Sequence, residues 1–271
     1  MMIEISQYGP ILRFLMGRTI GEQTVYTMAC YLVDGLLIDS GPYHTGEEFL
    51  AALQDHPVEH LVNTHHHEDH IGNNHLLQTE LGLPPAWAHP LGLSLIRNPA
   101  PWAKKMQAYR QIAWGEPEAS QVVEVPNQIQ TAHYLFDVLH VPGHSPDHIV
   151  LLEREQGWLF TGDVFISERL NVVRSDENVN DMIRSLQDLV QEPFETIFCA
   201  SGAIRTDGKK AMQAKLDYWL TLKEQCQSLH RKGYTEDEII NHLFGAESRL
   251  AALTEGGMSR ANLVHSILQE V

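Results

Sequence analysis

Residues 64–70 read Thr-His-His-His-Glu-Asp-His, and seven of the 16 histidines fall between positions 56 and 75. Packing does not ask for so many imidazoles in one place. The cluster follows Leu61-Val62-Asn63-Thr64, which reads as a short buried strand. Side chains alternate in extended backbone, so His65 and His67 point the same way and offer two imidazoles to one metal ion. Asp69 and His70 come one turn later, in reach of the same ion or a neighbour. Imidazole with carboxylate suits Zn²⁺, Fe²⁺ or Mn²⁺. By the same alternation His66 is structural or exposed and Glu68 exposed. Two further donors stand where strands end: His144 in Val141-Pro142-Gly143-His144-Ser145-Pro146, and Asp163 in Phe160-Thr161-Gly162-Asp163.

The elements that must position these residues are visible in outline. Tyr31-Leu32-Val33 and Leu36-Leu37-Ile38 flank Asp34-Gly35, a two-residue hairpin signal. Thr45-Gly46-Glu47-Glu48 fits a capping box opening a helix with Phe49, Leu50 and Leu53 on one face. Leu76, Leu77 and Leu81 suggest a helix after the histidine cluster. The segment 84–120 is broken by prolines and carries Trp87, Trp102, Tyr109 and Trp114, so short helices and loops covering something are expected. Strands are expected over 122–125, 133–141, 149–152, 158–160 (with a hairpin at Gly157) and 196–199, and a helix over 182–190. From Asp207 onward Met212, Leu216, Trp219, Leu222, Cys226 and Leu229 recur at helical spacing. Thr235-Glu236-Asp237-Glu238 is a second capping box, and Gly256-Gly257 precedes a last helix, roughly 259–270. This order predicts an α/β fold with hairpin-rich sheets, unlike a strict βαβ alternation.

The spaced set His65, His67, Asp69, His70, then Pro-Gly-His-Ser at His144, then Thr-Gly-Asp at Asp163, resembles the metallo-β-lactamase superfamily. Leu37-Ile38-Asp39-Ser40-Gly41 resembles that family's early Asp-x-Gly strand end, and the likeness runs from about Cys30 to Ser201. It implies a four-layered αββα sandwich with metals at one edge. Residues 1–206 would form this catalytic domain, 84–120 its covering insertion and 207–271 a helical extension packed on it. It implies that His65, His67 and His144 hold a first metal and Asp69 and His70 a second, with Asp163 bridging. A hydroxide on the metals would attack an electrophilic carbon or phosphorus, and Asp69 would orient that water or shuttle its proton. The family usually completes the second site with a histidine after a later strand. Here the matching stretch is Phe198-Cys199-Ala200-Ser201-Gly202, which puts Ser201 in that place. A hydroxyl is a poor ligand beside imidazole, so one or two zinc ions are expected, with iron or manganese as alternatives.

Other residues carry weaker signals. Asp39 is expected to hydrogen-bond a ligand histidine, or else to be a turn carboxylate. Tyr109 and Arg110 could form a lid with an anion-binding arginine, or simply pack under a loop. Arg169 and Arg174 could meet an anionic group, or be ordinary surface arginines. His148 could line the pocket but more simply holds its loop. His56, His60 and His75 read as surface or packing histidines. Lys plus Arg number 19 against 35 Asp plus Glu, a formal net charge of −16. That balance excludes a broad nucleic-acid surface and leaves room for a small anionic substrate met by local arginines. Cys30, Cys199 and Cys226 form no CxxC pair and read as reduced thiols. With no export signal or membrane span in view, a cytoplasmic protein is expected. Its helical tail would pack on the sandwich or on a second copy as a homodimer. The function expected is metal-dependent hydrolysis of a small thioester, lactone or related ester. The alternatives are a mononuclear iron persulfide dioxygenase, using His65, His144 and Asp163, and a metal-binding protein with a degenerate site.

Overall fold

The computed structural model describes residues 2–20 and 23–269. A seven-stranded sheet runs in the order β1 (Met2–Tyr8), β2 (Ile11–Ile20), β3 (Gln23–Val33), β4 (Leu36–Ile38), β5 (His60–Val62), β6 (Ala86–Ala88) and β7 (Val122–Glu124). The first four strands are antiparallel neighbours, and β4 to β7 are parallel. The β3–β4 turn has Asp34 at φ 49° and Gly35 at φ 79°, the two positive values that this hairpin geometry needs. The β1–β2 hairpin, turned at Gly9-Pro10, was not anticipated, and neither was β6 as a sheet strand within the proline-rich insertion.

Helices α1 (Gly46–Leu53), α2 (Glu68–Ile71) and α3 (Asn74–Leu81) follow β4 and β5. The insertion supplies α4 (Leu93–Arg97), α5 (Ala100–Ala103) and α6 (Ala108–Trp114). The expected capping box at Thr45 does not form: the Thr45 hydroxyl turns back and donates to Pro42 O at 2.8 Å, and it caps no backbone N–H of α1.

The second sheet has six strands: β8 (Gln128–Gln130), β9 (Leu135–His140), β10 (Ile149–Glu153), β11 (Trp158–Gly162), β13 (Thr196–Cys199) and β14 (Ile204–Arg205). Between β11 and β13 come β12 (Val173–Arg174) and α7 (Val179–Leu189), which has Asn178 as its N-cap. The C-terminal part is helical: α8 (Gly208–Arg231), α9 (Glu236–Phe244) with the expected Thr235–Glu238 capping box, α10 (Arg249–Leu253) and α11 (Arg260–Leu268). The expected helix end at Glu270 lies outside the described residues. A short strand β15 (Met258–Ser259) pairs antiparallel with β12.

Three apolar cores define the layers. Tyr31, Ile38 and Val62 from the first sheet meet Phe136, Phe160 and Phe198 from the second. Phe49, Leu77 and Ile96 cover the outer face of the first sheet. Leu186, Trp219, Ile239 and Val264 cover the second sheet, so α7 and the C-terminal helices share one core with it. The result is an αββα sandwich.

Candidate metal centre

The candidate donors leave strand ends at one edge of the sandwich. Asp39 follows β4, the histidine run follows β5, His144 lies in the loop after β9, and Asp163 directly follows β11. Asp39 adopts φ 63°, and its carboxylate joins two of these ends. Oδ1 accepts the Thr64 backbone N–H at 2.7 Å, while Oδ2 accepts the Thr64 hydroxyl and His70 Nδ1–H, each at 2.8 Å. Asp39 therefore orients His70, as a second shell does. Gly162 lies at φ 48° just before Asp163, and a Cβ there would sit 2.7 Å from His148 Nε2. Only glycine lets β11 approach this closely.

Three imidazole nitrogens converge. His65 Nε2 lies 2.8 Å from His67 Nδ1, which lies 2.9 Å from His144 Nε2. Asp163 Oδ2 is 3.3 Å from His144 Nε2 and 3.6 Å from His70 Nε2, and Asp69 Oδ2 is 3.9 Å from His70 Nε2. His65, His67 and His144 form one donor group, and His65, His70 and Asp163 form another. The outer nitrogens of His65 and His144 are already engaged. His144 Nδ1–H donates to Glu177 Oε1 at 2.6 Å, and His65 Nδ1 lies 3.1 Å from the Thr64 oxygen. The inner nitrogens of His65 and His144 therefore present lone pairs toward His67 Nδ1.

Electrostatics agree with that assignment for His65 and His67, whereas at His144 burial is outweighed by the Glu177 hydrogen bond and the Asp163 charge, which hold its pKa up. Burial, followed by the surrounding histidines, holds His65 well below the ordinary imidazole range. Burial and then the Arg174 charge do the same to His67. Burial pulls His70 down as well, but Asp39, Asp69 and Asp163 outweigh it and hold its pKa up. Burial pushes Asp69 up to about 6. Neutral imidazoles with facing lone pairs repel unless a cation sits between them. His70 Nε2 is buried without a hydrogen-bond partner, facing the same space. This donor set fits a divalent metal.

The other expected residues sort by contact. Glu68 is not exposed: it is fully buried, and Arg110 of α6 grips it through Nε and Nη2. The reason is local. A helix begins at Glu68, so the strand alternation has ended and the side chain turns inward. The same pair consumes Arg110, which is therefore not a free anion receptor. His148 holds its loop: it is buried, its Nε2 accepts the Asp163 N–H at 3.0 Å, and burial pushes its pKa down to about 3. His66 is tied to Asp147 at 2.8 Å. Tyr109 is half-buried on α6, whereas Arg169 is exposed. Ser201 stands half-buried in the turn after β13. Because β13 runs parallel to β11 with Cys199 opposite Gly162, Ser201 is at the same sheet edge as Asp163.

Glu177 was missed. It joins two pieces of the site, taking His144 on Oε1 and the Arg174 backbone N–H at 3.1 Å on Oε2. The separation of 33 positions between Glu177 and His144 carries no spacing signal. The one hint was the acidic residue just before the Asn178 helix cap.

The profile of the metallo-beta-lactamase superfamily matches residues 28–201, well over half the chain, and the chain belongs to that superfamily. It is similar to an atrochrysone carboxyl ACP thioesterase of Claviceps purpurea, at 23% identity over 93% of this chain and 79% of the relative. It is also similar to a hydroxyacylglutathione hydrolase of Xanthomonas euvesicatoria, at 32% identity over 64% of this chain. That match spans 59% of the hydrolase, less than two thirds of its length. A beta-lactamase domain protein from Burkholderia ambifaria shares the fold, with TM-score 0.69 and 16% identity over 97% of this chain and 88% of that one.

Proposed function

We propose that this chain is a metal-dependent hydrolase of small ester-like substrates, with thioesters first among them and lactones or related esters next. The observation that carries the reading is the convergence of three imidazole nitrogens beside the unpartnered His70 Nε2 and the Asp163 carboxylate. The thioesterase and hydrolase names of its relatives support the reaction class. His65, His67 and His144 would hold one ion, and Asp69, His70 and Asp163 a second. Zinc is the first expectation, because imidazole and carboxylate donors suit it. A divalent ion there supplies a Lewis acid for a carbonyl and brings the ionisation of water close to neutrality.

The chain's own residues do the rest. Asp39 and Glu177 fix the rings of His70 and His144, so their inner nitrogens stay aimed. His148 fixes Asp163 through its backbone. Asp69, with one oxygen 3.9 Å from His70 Nε2, is the group placed to hold or pass a proton. The test is a panel of aryl thioesters and lactones with elemental analysis of the protein. Hydrolysis should vanish on chelation and in His65→Ala, and return to the wild type with added metal. Chelator-insensitive hydrolysis, or oxygen uptake with a persulfide in place of ester cleavage, would overturn the reading.

A further inference from the structure

The candidate ligands come from two chain segments, and something must hold those segments at ligand distance. His65 and His67 belong to the run after β5, and His144 belongs to the loop after β9. His67 and His144 are 77 positions apart, yet His67 Nδ1 and His144 Nε2 lie 2.9 Å from each other. A backbone bond joins the segments at one point, where Ile149 N–H donates to Thr64 O at 2.8 Å. A second join is made by a side chain. Asp147 is 1% exposed, and a single oxygen, Oδ1, accepts both the Ser145 hydroxyl and His66 Nδ1–H, each at 2.8 Å. Ser145 follows His144, and His66 lies between His65 and His67. One oxygen atom therefore ties the two segments right beside their candidate ligands.

The other oxygen of the same carboxylate is in a different state. Oδ2 is buried and has no hydrogen-bond partner among the described residues. A buried carboxylate left half satisfied costs stability, a cost that a residue serving packing alone would avoid. Gly92 closes the single turn Pro90–Gly92 within the covering insertion and lies against this oxygen. A Cβ at position 92 would clash with Oδ2 and stand 3.2 Å from Cγ. The Gly92 backbone is ordinary right-handed helix, φ −86° and ψ −21°, so the carboxylate, not the chain's own conformation, demands glycine there. The insertion meets the loop at a second point. His140 Nε2–H donates to Pro146 O at 2.8 Å, and its ring stacks on that of His89 at 4.0 Å and 11°.

We propose that Asp147 is a positioning residue of the metal centre: its Oδ1 sets the spacing between the His144 loop and the histidine run, and its seat against Gly92 makes that spacing depend on the covering insertion. This rests on the metal-dependent reading above and concerns the affinity of the site for its ion. Imidazole nitrogens must each come to about 2.0–2.1 Å from a zinc ion, so a small parting of the two segments costs His144 its place. Neither Asp147 nor His66 is among the donor groups. Their loss leaves the ligand count intact and lowers the affinity. The contribution of Asp147 is geometric, because both bonds go to one oxygen and an asparagine carries that same acceptor.

The test is the zinc affinity of the metal-stripped protein, measured by competition with a chromophoric chelator. Asp147→Ala should weaken zinc binding about ten- to a hundredfold, the range for residues that orient ligands without touching the metal. Asp147→Asn should stay close to the wild type, because its oxygen still accepts from Ser145 and His66. His66→Ala removes the donor on the other segment, and Gly92→Ala displaces the carboxylate from the insertion side, so both should weaken binding. These two variants carry the test if Asp147→Ala does not fold. At saturating zinc all four should hold the wild-type amount of metal, since no ligand has gone. Wild-type affinity in Asp147→Ala or His66→Ala, or equal losses in Asp147→Asn and Asp147→Ala, would overturn the proposal. Wild-type affinity in Gly92→Ala would defeat the dependence on the insertion. No turnover is read, so the outcome is independent of ester hydrolysis. A wild type that binds no zinc defeats the hydrolase reading, whereas variants that all bind as tightly as the wild type defeat the positioning role alone.

Discussion

Asp163 lies between two of the candidate ligand histidines, 3.3 Å from His144 and 3.6 Å from His70. His66 sits between candidate ligand positions in the sequence but faces Asp147. Asp163→Ala should therefore lower the metal content per chain by at least half, and His66→Ala should leave it near the wild-type value. Elemental analysis of the two variants checks this, and equal content would contradict the assignment. His70→Ala separates one ion from two. If only the His65–His67–His144 group is filled, its metal content should match the wild type while His65→Ala loses the ion.

At the scale of elements, the Arg110–Glu68 pair joins the covering insertion to the segment that carries the histidine run. It bolts α6 of the covering insertion to the first residue of α2, inside the histidine run. Both side chains are withdrawn from water, so removing one leaves the other charged and buried. Arg110→Met should cost about 3–5 kcal/mol in denaturant unfolding. Adding Glu68→Gln should recover a large part of that loss, because the orphaned carboxylate is gone. A double variant no more stable than Arg110→Met would show that the pair contributes through packing alone. The pair also accounts for the failed expectation that Glu68 is exposed, and it ties Arg110 into the packing of the insertion, one of the two readings the sequence left open for it.

At the scale of the whole molecule, the second sheet and the C-terminal helices share a core, and one charge lies within it. Lys215 on α8 is 1% exposed and sits 5.5 Å from the centre of the Phe165 ring. Burial pushes its pKa down to about 8 from an ordinary 10.5. Below pH 8 the ammonium is charged in both the folded and unfolded chains, and the fold bears the whole cost of burying it. Between about 8 and 10.5 the folded chain has released a proton that the unfolded chain keeps. Stability contributed by this group therefore rises with pH across that window. Lys215→Met should flatten the rise and stabilise the protein at pH 7 by roughly 3 kcal/mol. Urea midpoints taken from pH 7 to 10.5 on both proteins check the slope. No described helix is long and apolar enough to cross a membrane.

Much of this protein was legible before any coordinates, and the legible part has a common physical origin. The spacing of His65, His67, Asp69 and His70 acts through a strand end and one helical turn, which local backbone geometry dictates. His144 and Asp163 stood out because each follows an apolar run and a glycine. Many of the elements followed from apolar periodicity, the four-layered sandwich was what the resemblance implied, and the membership of the chain in its superfamily agrees with the motifs. The β1–β2 hairpin was not read, although Gly9-Pro10 marks its turn and Ile3-Glu4-Ile5-Ser6 alternates just before it. What tertiary structure alone decided are partnerships between residues distant in the chain. Arg110 finds Glu68 across 42 residues, Glu177 finds His144 across 33, and the strand of Arg174 is held by β15 near the C-terminus. Spacing determines which side chains share a turn or a face. Which face meets which depends on how the sheets and helices pack, and that is settled by the whole apolar core at once.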